Sequence, residues 1–340
     1  MTKLNCAVIG CGRIGCGFDD NQNKIIKTHA GAYFKNSKTN LIALCDIDKS
    51  KLKKYSQKYN IKKTYTNAKD LFQNEKIDCV SICTLVDSHL ELVKLASKYN
   101  VKGIFIEKPF AKSLKEAKKI IEICKKNEIS IFVDHQRRFH PVYETVKKIL
   151  EKKIVGNIQL VNVYYGSGIS NTGSHMFDML RMLFGEPKTI QAKKSRNLSN
   201  NKNDPNLDVI LDFESFYCNI HSLNYENYAI FQAEILGTLG MIKIEMINHK
   251  IEVFKVSTRQ SAVYRNLKKI KIKSKNSKYS PIQIGLQKMI QAITSKTIPN
   301  SSGYDGYKAL ELIIGAIVAS KNNKVMKLPL KNNNYKISSK

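Results

Sequence analysis

Over residues 1–135, short apolar runs alternate with segments whose apolar side chains recur every three or four positions. Cys6-Ala7-Val8-Ile9, Leu41-Ile42-Ala43-Leu44-Cys45, Cys79-Val80-Ser81-Ile82-Cys83, Gly103-Ile104-Phe105-Ile106-Glu107 and Ser130-Ile131-Phe132-Val133-Asp134 are of strand length and largely apolar, with a weaker strand at Lys63-Thr64-Tyr65. Strands buried on both faces read as such unbroken runs. Between them, 88–98 and 114–127 are apolar at i, i+3 and i+4, the pattern of helices with one buried face. Alternation of this kind predicts an α/β unit: a doubly wound parallel sheet with helical crossovers.

Beyond Pro141 the pattern changes. After an amphipathic helix to about Lys152, strand-like segments at 159–165, 208–213, 217–223, 229–236, 241–247 and 251–256 follow one another closely, which predicts antiparallel pairing. A helix over 174–184 interrupts them, and helices over 281–295 and 304–320 come last. The segment 197–206, rich in Asn with Ser, Lys, Asp and Pro, reads as a mobile loop. The expected organisation is a doubly wound α/β domain over 1–135, followed over 136–340 by an α+β domain with a large, mainly antiparallel sheet.

The first strand runs directly into Gly10-Cys11-Gly12-Arg13-Ile14-Gly15, and Asp46 closes the second. In a G-x-G-x-x-G turn the first glycine permits the tight bend, the second lets backbone approach a pyrophosphate, and the third packs helix on strand. An acid at the next strand end accepts from ribose hydroxyls. Asp46 favours NAD over NADP, since a carboxylate placed for the 2′-hydroxyl repels a 2′-phosphate. Arg13 can pair with pyrophosphate, cover the adenine face or offset repulsion of a phosphate, and the residues leave these open. Gly15 and Asp46 stand further apart than the roughly 20 positions expected. An insertion over 16–27 therefore shortens or breaks the first helix. Asp19, Asp20 or His29 either touches substrate there or belongs to a solvated excursion.

At the end of the fifth strand lies Ile106-Glu107-Lys108-Pro109. Proline holds the preceding residue extended, so Lys108 projects beyond the carboxyl edge where open α/β sheets bind ligands. Lys+Arg of 57 against Asp+Glu of 28 gives a formal charge of +29. The lysines are scattered over helix faces, which reads as solvated surface and argues against specific nucleic-acid binding. The densest run, over 268–278, reads as an exposed strand and loop at one edge. Cys6, Cys45, Cys79 and Cys83 fall in apolar strands, as expected in a reducing cytoplasm; the spacing of Cys6, Cys11 and Cys16 superficially suggests a metal cluster, yet the first sits in the strand and the other two in the glycine turn. No basic leader or membrane-length apolar run is seen, so a soluble cytoplasmic protein without a membrane span is expected.

Together, the glycine turn, Asp46, Glu107-Lys108-Pro109 and Gly173-Ser174-His175-Met176-Phe177-Asp178 resemble the Gfo/Idh/MocA oxidoreductase family. Gln136-Arg137-Arg138-Phe139-His140-Pro141 and Glu234-Ile235-Leu236-Gly237 extend the resemblance over nearly the whole chain. The resemblance implies an NAD(P)-dependent enzyme acting on sugars or cyclitols, with Lys108 and His175 catalytic. Asp178 lies one turn beyond His175 on the same helix face. Asn171 stands where the family often has Asp; it remains able to hydrogen-bond a sugar hydroxyl or orient His175. The alternative for Ser174-His175 is a helix cap and an ordinary first-turn residue. Thr84 is placed near ribose and nicotinamide phosphate, His89 orders that loop, and Gln136 and Arg138 line the crevice. The cofactor set is Gly10, Gly12, Arg13, Ile14, Gly15, Asp46, Thr84, Glu107 and Lys108.

The reaction expected is hydride transfer between nicotinamide and a carbohydrate carbon bearing a secondary hydroxyl. Tyr164, Tyr165, Ser167 and Asn171 are available to bind that carbohydrate. Positive charge favours an anionic or nucleotide-linked substrate, as in surface-polysaccharide precursor metabolism. A homo-oligomer, dimer or tetramer, is expected through an exposed sheet face. The rival reading is a catalytically silent nicotinamide-binding regulator or scaffold, because a fold does not determine function.

Overall fold

The structure, a computed structural model, describes all residues except 1–2, 21–24, 261–264, 274–276, 296, 298, 332 and 339–340. Contacts divide the chain into two compact units, one of Met1–Phe139 with Lys278–Lys308, the other of His140–Ser277 with Ala309–Ser338.

The first unit contains β1 (Leu4–Ile9), α1 (His29–Lys35), β2 (Thr39–Cys45), α2 (Lys49–Tyr59), β3 (Lys63–Tyr65) and α3 (Ala68–Asn74). It continues with β4 (Cys79–Ile82), α4 (His89–Ala96), β5 (Gly103–Ile106), α5 (Leu114–Lys126) and β6 (Ser130–Val133). All pairs are parallel, in the order β3-β2-β1-β4-β5-β6. The order reverses direction between β1 and β4, which opens a crevice beyond their carboxyl ends. β4 and β5 are buried at every position, as their unbroken apolar sequences require. Asp48, Asn67 and Ser113 accept backbone N–H groups at the starts of α2, α3 and α5, satisfying donors that lack intrahelical partners.

In the second unit α6 (Pro141–Glu151) precedes β7 (Ile158–Tyr165) and α7 (Gly173–Phe184), followed by β8 (Thr189–Lys194), β9 (Leu207–Asp212) and β10 (Tyr217–Ser222). Then come β11 (Gln232–Gly237), β12 (Gly240–Glu245), β13 (Lys250–Gln260) and β14 (Arg265–Ile270). After α8 (Pro281–Ser295) and α9 (Gly303–Asn322), β15 (Met326–Lys327) completes a nine-stranded sheet in the order β14-β13-β12-β11-β7-β10-β9-β8-β15. Its pairs are antiparallel except β10 with β7, where a parallel pair stands in place of the antiparallel one expected. The sheet mixes one parallel pair into an otherwise antiparallel set. Val161, Val163, Leu211, Ile220, Ile235 and Ile244 point to one buried face, while Ile210 and Tyr217 on the other remain exposed. This is the period-two burial of a sheet covered on one side.

Two elements escaped the pattern reading. β8 alternates only over Thr189-Ile190-Gln191-Ala192 before ending in two lysines, and β15 has only two residues, so neither stands out as a strand. The basic run begins in β14, an exposed edge strand, as expected. α8 packs against β5 and β6 of the first sheet, burying Ile282, Leu286, Met289 and Ile290 with Phe105, Phe132 and Phe139. Burial of each such side chain contributes roughly 1.5–3 kcal/mol. Among the described residues, no helix is long and apolar enough to cross a membrane.

Candidate functional site

The glycine turn performs three separate steric tasks. Gly10 has φ +96°, and a Cβ on it would lie 2.7 Å from the Cys83 carbonyl. A Cβ on Gly15 would lie 2.0 Å from the Gly10 oxygen, so the turn closes only without one. A Cβ on Gly12 would meet nothing within 4 Å. That open face is where a pyrophosphate can approach backbone. Asp46 is tied to the same turn: Oδ2 accepts from Cys11 N at 2.6 Å and Oδ1 from Asp48 N at 2.9 Å. Each oxygen keeps a second acceptor direction for ribose hydroxyls. These residues fit a dinucleotide.

The insertion interrupts the first helix without displacing it. Residues 12–16 form a helical turn, with Cys16 N donating to Gly12 O at 2.9 Å. His29 N then donates to Ile14 O at 3.1 Å and Ala30 N to Gly15 O at 2.9 Å. α1 therefore takes up the hydrogen bonds that an uninterrupted helix would make four residues on. The N–H groups of Ile14 and Gly15 have no acceptor among the described residues, which leaves donors for an anion at the turn. Residues 21–24 of the insertion lie outside the described residues.

Asp19, Asp20 and His29, considered for substrate contact, are each engaged by other residues of the first unit. Asp19 Oδ1 accepts from Lys27 N at 2.6 Å, and Oδ2 accepts from the Thr28 hydroxyl, which in turn caps α1 through Gly31 N. Asp20 binds Lys54 Nζ at 2.6 Å, Lys58 Nζ at 3.0 Å and Tyr55 Oη at 3.0 Å. Burial opposes its ionisation, but these donors hold its carboxyl below the usual range. His29 is 1% exposed. Arg13 stays on the surface with its guanidinium 4.8 Å above the Phe18 ring.

Lys108 is half-buried just beyond β5, and its backbone N donates to Glu107 Oε2 at 3.3 Å. Glu107 turns inward: Oε1 lies 3.2 Å from His29 Nε2, and Asp134 Oδ2 lies 3.7 Å from the same nitrogen. These three are the described residues whose ligand atoms come within 4.8 Å of one another, and each offers a single donor atom to a metal ion. His29 Nε2 and Glu107 Oε1 are also within hydrogen-bond distance of each other. Burial drives the Glu107 carboxyl above its ordinary value, with the Asp134 charge adding to it. Burial also opposes ionisation of Asp134, yet hydrogen bonds from His29, Glu107 and Gln136 hold that carboxyl low. Gln136 Nε2 donates to Asp134 Oδ2 at 2.9 Å. Arg138 pairs with Asp305 at 3.0 Å.

Thr84 follows β4, its hydroxyl 2.6 Å from that of Ser88. His89 is buried at the start of α4, with Nδ1 3.1 Å from Phe110 O and Nε2 3.2 Å from Thr84 O, so it orders the loop. Burial lowers its pKa.

In the second unit a π-helical turn, Gly168–Thr172, leads into α7 and carries Asn171; His175 lies half-buried in the first turn of α7. Ser170 N and Asn171 N donate to the two oxygens of Asp204 at 2.7 and 2.9 Å, and Gly168 N donates to Asn206 Oδ1 at 3.0 Å. The end of the segment expected to be mobile is thus buried, with Asp204 4% and Asn206 3% exposed. Polar residues that suit a solvated loop also suit capping of buried backbone donors, and composition alone does not separate the two. Ser174 donates its hydroxyl to Asn171 O at 2.9 Å and is not the helix cap. Asp178 is buried 3.8 Å from Arg181, whose guanidinium forks onto Glu186. Tyr165 is unavailable to a ligand: it is wholly buried, donating to Leu207 O at 2.8 Å and accepting from Leu207 N at 2.9 Å. Tyr164 points to the opposite sheet face and stacks on His221.

Asp134, Ser81 and Asp204 were missed in the sequence. A usable signal existed for Asp134, which ends its strand as Asp46 and Glu107 follow theirs.

Residues 4–135 match the model of the oxidoreductase family with an NAD-binding Rossmann fold, and residues 166–328 match its C-terminal alpha/beta domain. D-apiose dehydrogenase of Rhizobium rhizogenes is 29% identical over 276 residues, covering 74% of this chain and 76% of that protein. Myo-inositol 2-dehydrogenase of Thermotoga maritima is 25% identical over 197 residues, 54% of this chain and 55% of that protein. The crystal structure of the WlbA dehydrogenase from Bordetella pertussis in complex with NADH and UDP-GlcNAcA superposes with a TM-score of 0.77 at 18% identity. It covers 97% of this chain and 100% of that one. With both of its halves matched, this chain belongs to the Gfo/Idh/MocA family of oxidoreductases.

Proposed function

We propose that the protein is an NAD-dependent dehydrogenase acting on a secondary hydroxyl or keto carbon of a sugar, nucleotide sugar or cyclitol. The observation that carries this reading is Lys108, set beyond a buried carboxylate at the same sheet edge as a glycine turn shaped for a dinucleotide. Relatives named for D-apiose and myo-inositol support the substrate class. NAD, when bound, accepts or supplies the hydride at nicotinamide C4. Gly10, Gly12, Arg13, Ile14 and Gly15 hold its pyrophosphate side, Asp46 its ribose, and Thr84 and Glu107 shape the nicotinamide end. Lys108 or His175 takes the hydroxyl proton during oxidation, the other polarises the carbonyl, and Asn171 orients His175 or binds a hydroxyl. Asp46, held by Cys11 N, favours NAD over NADP by repelling a 2′-phosphate.

In this reading 1–135 is the dinucleotide-binding domain and 136–340 the substrate-binding and oligomerisation domain of a cytoplasmic homo-oligomer, dimer or tetramer. The test mixes protein and NAD or NADH with a panel of sugars, cyclitols and nucleotide sugars and follows reduced-nicotinamide absorbance. Turnover on a panel member is expected; tight NADH binding without any turnover would favour a silent regulator.

A further inference from the structure

Against Glu107, the residue before Lys108, the first unit buries an imidazole between two acids. His29 Nδ1 lies 2.9 Å from Ser81 Oγ, and Ser81 donates its own proton to Tyr33 Oη at 3.0 Å. The Ser81 oxygen is therefore left to accept from His29 Nδ1–H. The other nitrogen, Nε2, faces Glu107 Oε1 at 3.2 Å and Asp134 Oδ2 at 3.7 Å. A bare lone pair there would confront two carboxylate oxygens, whereas a second N–H satisfies both nitrogens. Every packed element contributes: Cys83 follows β4, Glu107 follows β5, Asp134 follows β6, Tyr33 acts through Ser81, and the Phe105 ring lies edge-on at 4.6 Å. Burial disfavours charge on His29, but Cys83, Asp134 and Glu107 together raise its pKa well above the ordinary value. Burial and Asp134 push the Glu107 carboxyl up, while hydrogen bonds and the His29 charge hold that of Asp134 down.

We propose that His29 is a positioning residue for Lys108: a buried imidazolium that fixes the side chain of the adjacent Glu107 and cancels one negative charge in the cluster that Glu107 forms next to the reactive lysine. This rests on the reading that Lys108 exchanges a proton with substrate. A lysine can do so only if its pKa is not driven up by nearby uncompensated carboxylates. Without the imidazolium, this edge of the sheet is one unit more negative at any fixed protonation of the acids, and the Lys108 ammonium is held more tightly. At the start of α1, His29 N and Ala30 N donate to the Ile14 and Gly15 carbonyls, which ties His29 to the glycine turn.

The experiment measures the titration of Lys108 by competitive acetylation across pH, read on its peptide by mass spectrometry, in the full chain. His29→Gln is expected to raise the Lys108 midpoint by about one pH unit. The double variant His29→Gln/Asp134→Asn, which restores the charge balance, is expected to bring it back. An unchanged midpoint in folded His29→Gln, or a rise that Asp134→Asn does not reverse, overturns the proposal. Imidazole 15N shifts of wild-type His29 form a second arm that needs no variant: both nitrogens protonated at pH 7.5 is expected, and a neutral ring overturns it. A divalent-metal requirement for turnover that His29→Gln abolishes also overturns it, making the trio a metal site. The pH profile of turnover runs alongside. Absence of turnover in wild type defeats the proposed function while the titrations still decide the charge arrangement, and turnover with an unmoved midpoint defeats this inference alone.

Discussion

Two regions each hold a proton-carrying side chain next to a buried carboxylate, and they do it by different chemistry. At the edge of the first sheet, Lys108 follows Glu107, which is held by another side chain, His29, and shares its burial with Asp134. At the start of α7, His175 follows a turn whose backbone donors are gathered by Asp204. The first arrangement balances ionisable groups against one another, so a proton gained or lost changes both charge and geometry. The second fixes a carboxylate with amide N–H groups that do not titrate. Lysine needs a tuned electrostatic surrounding to exchange a proton near neutrality, whereas a histidine is already close to it and needs chiefly to be aimed.

The largest expected effect is at Lys108. Lys108→Met should reduce turnover by about 10²-fold or more while NADH binding, followed by fluorescence titration, stays nearly intact. Loss of NADH binding instead would make the lysine structural and remove one side of the contrast. Next comes Asp204→Ala, which strands two buried backbone donors; thermal or urea denaturation should show a loss of about 2 kcal/mol, with turnover falling and NADH affinity unchanged. An unaltered denaturation midpoint would mean that the Asp204 carboxylate does not hold the α7 start. Gly12→Ala should leave stability alone, since nothing lies within 4 Å of its Cβ, yet weaken NADH binding by about tenfold.

A smaller effect separates the titrating region from its counterpart. The His29 pKa is raised on folding, so its stabilisation is complete below the ordinary histidine value of about 6.5 and is lost as pH rises through the folded value. The stability advantage of wild type over His29→Asn should therefore shrink as pH climbs above neutrality, and a constant gap in melting temperature would contradict it. Smallest is Asp48, outside both regions. Hydrogen bonds from Ser50 and Lys51 push its carboxyl down to about 2. Its capping of α2 persists above the unfolded carboxylate value and is lost as pH falls through about 2, which a carboxyl 13C titration would register.

Much of the first unit was legible because it is built from local signals. Fully buried parallel strands are unbroken apolar runs, and glycines at 10, 12 and 15 are demanded by contacts within one turn. Lys108 is placed by the proline after it. The second unit was less legible, since β8 has only two alternating apolar positions and β15 only two residues, and both are paired with a neighbouring strand. The segment over 197–206 shows the limit clearly: its composition describes an average loop, while Asp204 and Asn206 are ordered by donors more than 30 residues earlier. Tyr165 misleads for a related reason, because its place in a strand says nothing about the Leu207 backbone that occupies its hydroxyl.

The sequence by itself determined the α/β class, the dinucleotide turn, the strand-end acid and the lysine beyond β5, because each depends on backbone conformation and burial within a few residues. That His29 lies between Glu107 and Asp134, and that α8 returns to cover the first sheet, emerges only from the folded arrangement. Such contacts join residues from separate strands and helices, and their free energy comes from desolvation and charge balance in a common interior. No single segment carries a trace of that until the strands are laid side by side.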